Sequence, residues 1–118
     1  MAKVAIVVLA DAQTHADMGR VANALTTTSE CKEAGDDVTL IFDGAGTKWV
    51  RELSDPDHTL SKALEKVRDK VGGACSYCAA SFGVKEDVQA SDIPLLEEYE
   101  GHPSIQKLIA QDYQVVTF

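Results

Sequence analysis

The stretch Lys3-Val4-Ala5-Ile6-Val7-Val8-Leu9-Ala10 decides the fold class, because it is continuously apolar from Val4 onward, rich in β-branched residues and too short for a helix. A run of this kind is typical of a strand that is covered on both faces, as in a parallel sheet. Residues 14–34 then repeat apolar side chains at helical spacing and end at Gly35, which predicts an amphipathic helix. A second apolar run over 37–42 completes a strand-helix-strand unit.

The rest of the chain continues this alternation. Asp55 and Pro56 are typical of a helix start, Gly72-Gly73 of a helix end, and Pro94 of a strand at a sheet edge or at its own beginning. We therefore expect one α/β domain over 1–118, with a mostly parallel five-stranded sheet, helices on both faces and right-handed crossovers. The remaining predicted elements are a short helix near 49–53, a helix over 55–71, a strand over 73–76, helices over 78–82 and 84–90, a strand over 93–96, a helix from 102 and a strand over 113–118.

The composition excludes several classes of function. Nineteen acidic residues against eleven basic ones give a formal charge of −8, which disfavours binding to nucleic acid. The longest apolar run is far shorter than the roughly 18 residues that span a bilayer. The amino terminus lacks the layout of a secretory signal, so we expect a cytoplasmic protein without membrane contact.

Candidate site residues follow the strands. In an open parallel sheet, ligands bind beyond the carboxyl ends of the strands, so the loops at that edge should be considered together. Histidines there can orient or protonate a bound group at neutral pH. The residues that these loops bring to the edge are Asp11 and His15, Asp43 and Gly44, Cys75 and Cys78, and Tyr99 and His102.

The spacing Cys75-x-x-Cys78 has three interpretations: a redox or sulfur-transfer pair, half of a metal site, or two buried packing residues. A thiol at the start of a helix is favoured as thiolate, which makes Cys78 the better placed nucleophile. A closed zinc site needs four ligands, and no second close cysteine pair exists. Cys31 and the three histidines could supply the missing ligands only if folding brought them close, so we predict no metal.

The glycines of Asp43-Gly44-Ala45-Gly46-Thr47-Lys48 invite comparison with a phosphate-binding loop. The order Gly-Lys-Ser/Thr and the spaced first glycine are both missing, and no dinucleotide fingerprint occurs. A turn after a strand is the preferred interpretation, and no cofactor is predicted.

A family resemblance rests on five features together. They are the apolar first strand, the long first helix ending at a glycine, the second strand leading into Phe42-Asp43-Gly44, the segment Cys75-Ser76-Tyr77-Cys78-Ala79-Ala80-Ser81-Phe82-Gly83-Val84 and the terminal Tyr113-Gln114-Val115-Val116-Thr117-Phe118. On these features the chain resembles the DsrE/DsrF-like family of small α/β sulfur-handling proteins over nearly its whole length. The resemblance implies a flavodoxin-like layering of sheet and helices.

The resemblance also implies a chemistry. Cys78 matches the family's persulfide-carrying cysteine and Cys75 an extra cysteine found in some members, while Ser81-Phe82 replaces a basic residue often seen there. His15, His102, Asp43 and Tyr99 are possible supporting residues. The implied partners are sulfur donors and acceptors, either proteins or small sulfur compounds, and other copies of the chain in a dimer, trimer or hexamer.

Three functions stay open at this point. The preferred hypothesis is a cytoplasmic sulfur carrier or sulfurtransferase that uses a persulfide on Cys78. The first alternative is a non-catalytic module that binds a small ligand or forms oligomers and merely packs its cysteines. The second is a thiol redox or metal-binding protein.

Overall fold

The apolar run at the amino terminus forms a strand inside the sheet, as expected. The computed structural model describes all 118 residues, in which five strands alternate with six helices, and short 3₁₀ turns lie at Gly44–Thr47 and Arg68–Lys70. The strands are β1 (Lys3–Val8), β2 (Asp37–Phe42), β3 (Val71–Cys75), β4 (Leu95–Leu96) and β5 (Gln114–Thr117). The helices are α1 (His15–Glu33), α2 (Lys48–Leu53), α3 (Ser61–Val67), α4 (Ser76–Ser81), α5 (Lys85–Ala90) and α6 (Ile105–Ala110).

The five strands form one parallel sheet in the order β4-β3-β2-β1-β5. β1 pairs with β2 along its full length, from Lys3 opposite Asp37 to Val8 opposite Phe42. β4 is only two residues long and lies at one edge, directly after Pro94, which has no N–H to donate to a ladder. The predicted α/β class and the five-stranded sheet are confirmed.

The strand order explains which face each helix covers. From β1 to β4 the chain steps in one direction across the sheet, so right-handed crossovers place the intervening helices on one face. On that face Ile6 and Val8 of β1 join an apolar core with side chains from α1 to α5. The return from β4 to β5 reverses direction and places α6 on the other face, where its Leu108 lies near Ile41. Helices therefore cover both faces, but the second face has only the six residues of α6.

Local signals fix the start of α1. Thr14 caps the helix by accepting a hydrogen bond from the Asp17 N–H at 3.1 Å, and the Asp17 carboxylate accepts from the Thr14 N–H at 3.1 Å. This capping box satisfies two backbone donors that the helix cannot pair internally. None of the six helices is long and apolar enough to cross a lipid bilayer.

The predicted start of the third helix was wrong. α3 begins at Ser61 rather than at Asp55, because the Asp55 side chain accepts the Asp57 N–H at 2.9 Å and closes a turn. The chain turns again at His58, whose Nδ1 accepts the Leu60 N–H at 3.0 Å. Asp55 therefore caps a turn and not a helix.

The predicted role of Gly72-Gly73 was also wrong, because both glycines lie inside β3. Gly73 has φ of 154°, and a Cβ there would lie 2.6 Å from both Leu96 Cγ and the Pro94 carbonyl oxygen. The missing side chain lets β4 approach β3 closely. The helix predicted over 78–82 starts earlier, at Ser76, so that Cys75 ends the strand and Cys78 lies in the first turn of α4.

Candidate functional site

Four of the predicted site residues come together at the carboxyl edge of the sheet. One donor atom from each of Asp43, Cys75, Cys78 and His102 lies within 4.8 Å of the other three. Asp43 follows β2, Cys75 is the last residue of β3, Cys78 lies in the first turn of α4, and His102 lies between β4 and α6. Two thiols, a carboxylate and an imidazole therefore lie together at the carboxyl edge of the sheet, where ligands bind in open parallel sheets.

Asp43 is held by the 3₁₀ turn that follows β2. Its Oδ1 accepts a hydrogen bond from the Gly44 N–H at 2.8 Å and caps the turn. The second carboxylate oxygen, Oδ2, does not take part in this cap. The turn lies directly against β1, since a Cβ on Gly46 would stand 2.0 Å from the Val8 carbonyl oxygen. The second glycine of this loop therefore serves close packing of the backbone.

Cys75 is a buried thiol surrounded by hydrogen-bonding groups. It has no exposed surface and caps α4, because its Sγ accepts the Cys78 N–H at 3.3 Å. His102 Nδ1 lies 3.2 Å from the same sulfur, and the Gly101 carbonyl oxygen lies at 3.8 Å. Burial raises the pKa of Cys75 to about 12, so the group is a neutral thiol at neutral pH.

Cys78 differs from Cys75 in its access to solvent. It is half-buried, whereas Cys75 is fully enclosed, and neither is in a disulfide. The two sulfurs lie within 4.8 Å of each other, so they are neighbours that are not bonded. The third cysteine, Cys31, is on α1 and is not part of this cluster.

His102 is placed by its backbone and by an aromatic neighbour. Its N–H and carbonyl exchange hydrogen bonds with those of Tyr99, at 2.8 and 2.9 Å. Its ring lies 4.8 Å from the ring of Tyr77, centroid to centroid, at an angle of 37°. The Tyr77 N–H also donates to the Gly101 carbonyl at 2.9 Å, which joins the start of α4 to the loop carrying His102.

Two of the proposed supporting side chains lie outside the four-residue cluster. His15 is exposed at the first position of α1, and it is not among the donors that meet at the cysteines. The Tyr99 side chain is 66% exposed, and the residue supports the site through its backbone pairing with His102.

Sequence reasoning missed Tyr77 and Lys48. Tyr77 stands between the two cysteines, and only its contact with His102 gives it a role. Lys48 forms an ion pair with Asp11 at 3.0 Å, and its ammonium lies 5.3 Å from the centroid of the Phe82 ring. A hydrogen bond from the Ala12 N–H, together with Lys48, lowers the pKa of Asp11. A cation thus reaches the end of α4 from another element, which no local motif signals.

The family follows from comparison with known proteins. The model of the DsrE/DsrF-like family matches residues 2–118. The chain belongs to this family. An uncharacterized protein of Methanocaldococcus jannaschii is 33% identical over 88 residues, which is 75% of this chain and 71% of that protein. No solved structure gives a significant match to the chain.

Proposed function

We propose that this member of the DsrE/DsrF-like family is a cytoplasmic sulfur carrier or sulfurtransferase that holds sulfur as a persulfide on Cys78. The family membership supports sulfur-relay chemistry in general. The observation that carries the proposal is the unequal environment of two neighbouring thiols, since Cys78 is partly exposed and Cys75 is fully buried. The alternative in which both cysteines merely pack would bury both sulfurs, and only Cys75 fits that description.

The first step of the proposed reaction takes place at Cys78. Its thiolate attacks the outer sulfur of a donor persulfide or polysulfide, the donor's S–S bond breaks, and the donor leaves as a thiolate. Cys78 then carries one additional sulfur atom. Cys75 does not compete for the donor, because burial keeps it protonated and inaccessible.

The second step has two possible acceptors. An external thiolate attacks the outer sulfur and carries it away, which restores the Cys78 thiolate. Alternatively, Cys75 attacks the inner sulfur, the Cys75–Cys78 disulfide forms, and the outer sulfur leaves as hydrosulfide, reduced by the two electrons that the thiols lose. In that route His102 Nδ1, 3.2 Å from the Cys75 sulfur, accepts the thiol proton, and an external dithiol later reduces the disulfide.

The surface around Cys78 favours a protein as donor or acceptor. Three aromatic side chains on the elements that build the site are exposed: Tyr77 by 61%, Phe82 by 40% and Tyr99 by 66%. Exposed aromatic residues are enriched in protein interfaces. We propose that this surface contacts a partner protein or another copy of the chain. Light scattering coupled to size-exclusion chromatography measures whether the chain forms oligomers.

The test is sulfur loading followed by intact mass spectrometry. Reduced protein is incubated with inorganic polysulfide, and the mass is expected to increase by one sulfur atom. Cys78→Ser should abolish the adduct, while Cys31→Ser, in which the third thiol is replaced, should retain it. Cys75→Ser should load but fail to form the internal disulfide. Loading that persists in Cys78→Ser would contradict the assignment of the carrier, and no loading of the unaltered chain would contradict the proposal as a whole.

A further inference from the structure

We propose that Asp43, Cys75, Cys78 and His102 form a binding site for a tetrahedral, thiophilic divalent ion, with Zn²⁺ as the expected occupant. The proposal goes beyond sulfur transfer and does not depend on it. The sequence contains no second close cysteine pair to complete such a site. The fold supplies the two missing ligands from connections that follow other strands, Asp43 after β2 and His102 after β4.

The distances between donor atoms are close to those of a zinc site. With Zn–S bonds of about 2.3 Å and Zn–N bonds of about 2.0 Å, the edges of a tetrahedron measure about 3.5 Å between sulfur and nitrogen and about 3.8 Å between two sulfurs. Cys75 Sγ and His102 Nδ1 lie 3.2 Å apart, and all four donors lie within 4.8 Å of one another. Metal binding would draw the partly buried side chains of Asp43, Cys78 and His102 closer together.

The donor set selects among metals. Two thiolates favour zinc and other thiophilic ions over Mg²⁺ and Ca²⁺, which prefer oxygen ligands in larger number. Imidazole nitrogen and one carboxylate oxygen are both ordinary zinc ligands. Ionised Cys75, Cys78 and Asp43 with a neutral His102 would place three negative charges around the ion, which a divalent cation offsets better than a monovalent one.

The ligands are held in place by contacts outside the proposed site. Cys75 is fixed by burial and by the Cys78 N–H at 3.3 Å, which can also donate to a metal-bound thiolate. Asp43 Oδ1 is oriented by the Gly44 N–H. The His102 ring is packed against Tyr77. Such outer contacts orient metal ligands and raise affinity, so the site is partly preorganised.

The binding reaction has a proton balance that can be measured. For each cysteine that binds from its thiol form, a Zn–S bond forms as an S–H bond breaks and one proton goes to the buffer. Proton release on adding zinc, followed with a pH indicator in weak buffer, should depend on both cysteines.

The experiment titrates the full, reduced, metal-free chain with Zn²⁺ in competition with a chromophoric chelator, in the absence of any sulfur donor. We expect one ion per chain and a thiolate-to-metal charge-transfer band when Co²⁺ replaces Zn²⁺. Cys78→Ser should weaken binding by at least about 100-fold, since changes to outer contacts alone typically cost 10–100-fold. His102→Gln and Asp43→Asn should also weaken it, and Cys31→Ser serves as the matched control with unchanged affinity.

Cys78 is the decisive position, because it is only partly buried and its replacement should disturb the fold less than that of buried Cys75. Circular dichroism of each variant checks folding. Absence of one-to-one binding to the unaltered chain, or binding that Cys78→Ser leaves unchanged, overturns the proposal. Because no sulfur donor is present, either result is independent of whether Cys78 carries a persulfide.

Discussion

Alkaline pH is expected to destabilise the fold through Cys75. Burial, with a smaller contribution from the carboxylate of Asp43, raises the pKa of this thiol from 9.0 to about 12. The folded chain therefore keeps a proton that the unfolded chain releases at lower pH. The corresponding stability is fully present below the unfolded pKa and is lost as the pH rises toward the folded pKa.

The size of the effect follows from the pKa difference. One pKa unit corresponds to about 1.4 kcal/mol, so the free energy of unfolding should fall by about 2 kcal/mol between about pH 9 and about pH 11 from this group alone. The measurement is urea denaturation of the reduced, metal-free chain at a series of pH values. Cys75→Ala is the comparison, because this variant has no titrating thiol at position 75. The packing that it loses lowers the free energy of unfolding by the same amount at every pH.

Two other groups whose pKa values are raised by the fold cancel in the comparison. Burial raises the pKa of Cys31, and the hydrogen bond to Asp37 raises the pKa of Tyr113. Both are present in the unaltered chain and in Cys75→Ala, so only the difference between the two slopes reports on Cys75. If the two stability curves run parallel over this range, the reasoning from burial is refuted.

Three further predictions concern the glycines, the reactivity of the thiols and the coupling of zinc to sulfur. Gly73→Ala should destabilise the chain by about 1–3 kcal/mol, because the new Cβ would collide with Leu96 and the residue has a positive φ. Gly19→Ala should stabilise the chain by about 0.5–1 kcal/mol, because Gly19 lies in open space on α1. Urea denaturation of both variants checks that the two changes in stability have opposite signs. At about pH 8 the folded chain should react with iodoacetamide at Cys78 and leave Cys75 intact, because a pKa of about 12 lowers its thiolate fraction about a thousandfold relative to a pKa of 9.0; peptide mapping that finds equal labelling would contradict this. One equivalent of Zn²⁺ added before polysulfide should prevent formation of the sulfur adduct on Cys78, and a chelator should restore it. An unchanged yield of adduct in the presence of zinc would show that zinc and sulfur do not compete for Cys78.

The apolar strands were the most predictable part of the fold. β2 occupies residues 37–42 as expected, because a short run of apolar and β-branched residues after Asp37 is typical of a buried strand. β3 was harder, since Val71-Gly72-Gly73-Ala74-Cys75 lacks that signature and its glycines are explained only by the approach of β4. That approach is a contact between residues distant in the chain, which local pattern cannot reveal.

The candidate site was predictable in its location and only partly in its membership. The rule that parallel sheets bind ligands at their carboxyl edge placed Asp43, the two cysteines and His102 in one region. It did not separate these from His15, which stays exposed at the start of α1. Distances within an edge depend on loop conformation, and it is in a loop paired through its backbone to Tyr99 that His102 comes within 3.2 Å of the Cys75 sulfur.

The order of strands separates two halves of the sheet. All four clustered donors lie at the end of β3 or in the connections that follow β2, β3 and β4, while β5 forms the opposite edge with Gln114 and Thr117 exposed. A neighbouring chain that paired with β5 would lengthen the sheet at the end remote from the cysteines. Oligomer contacts at the β5 edge could therefore be gained, lost or altered during evolution without changing the residues of the candidate site at the other end of the sheet.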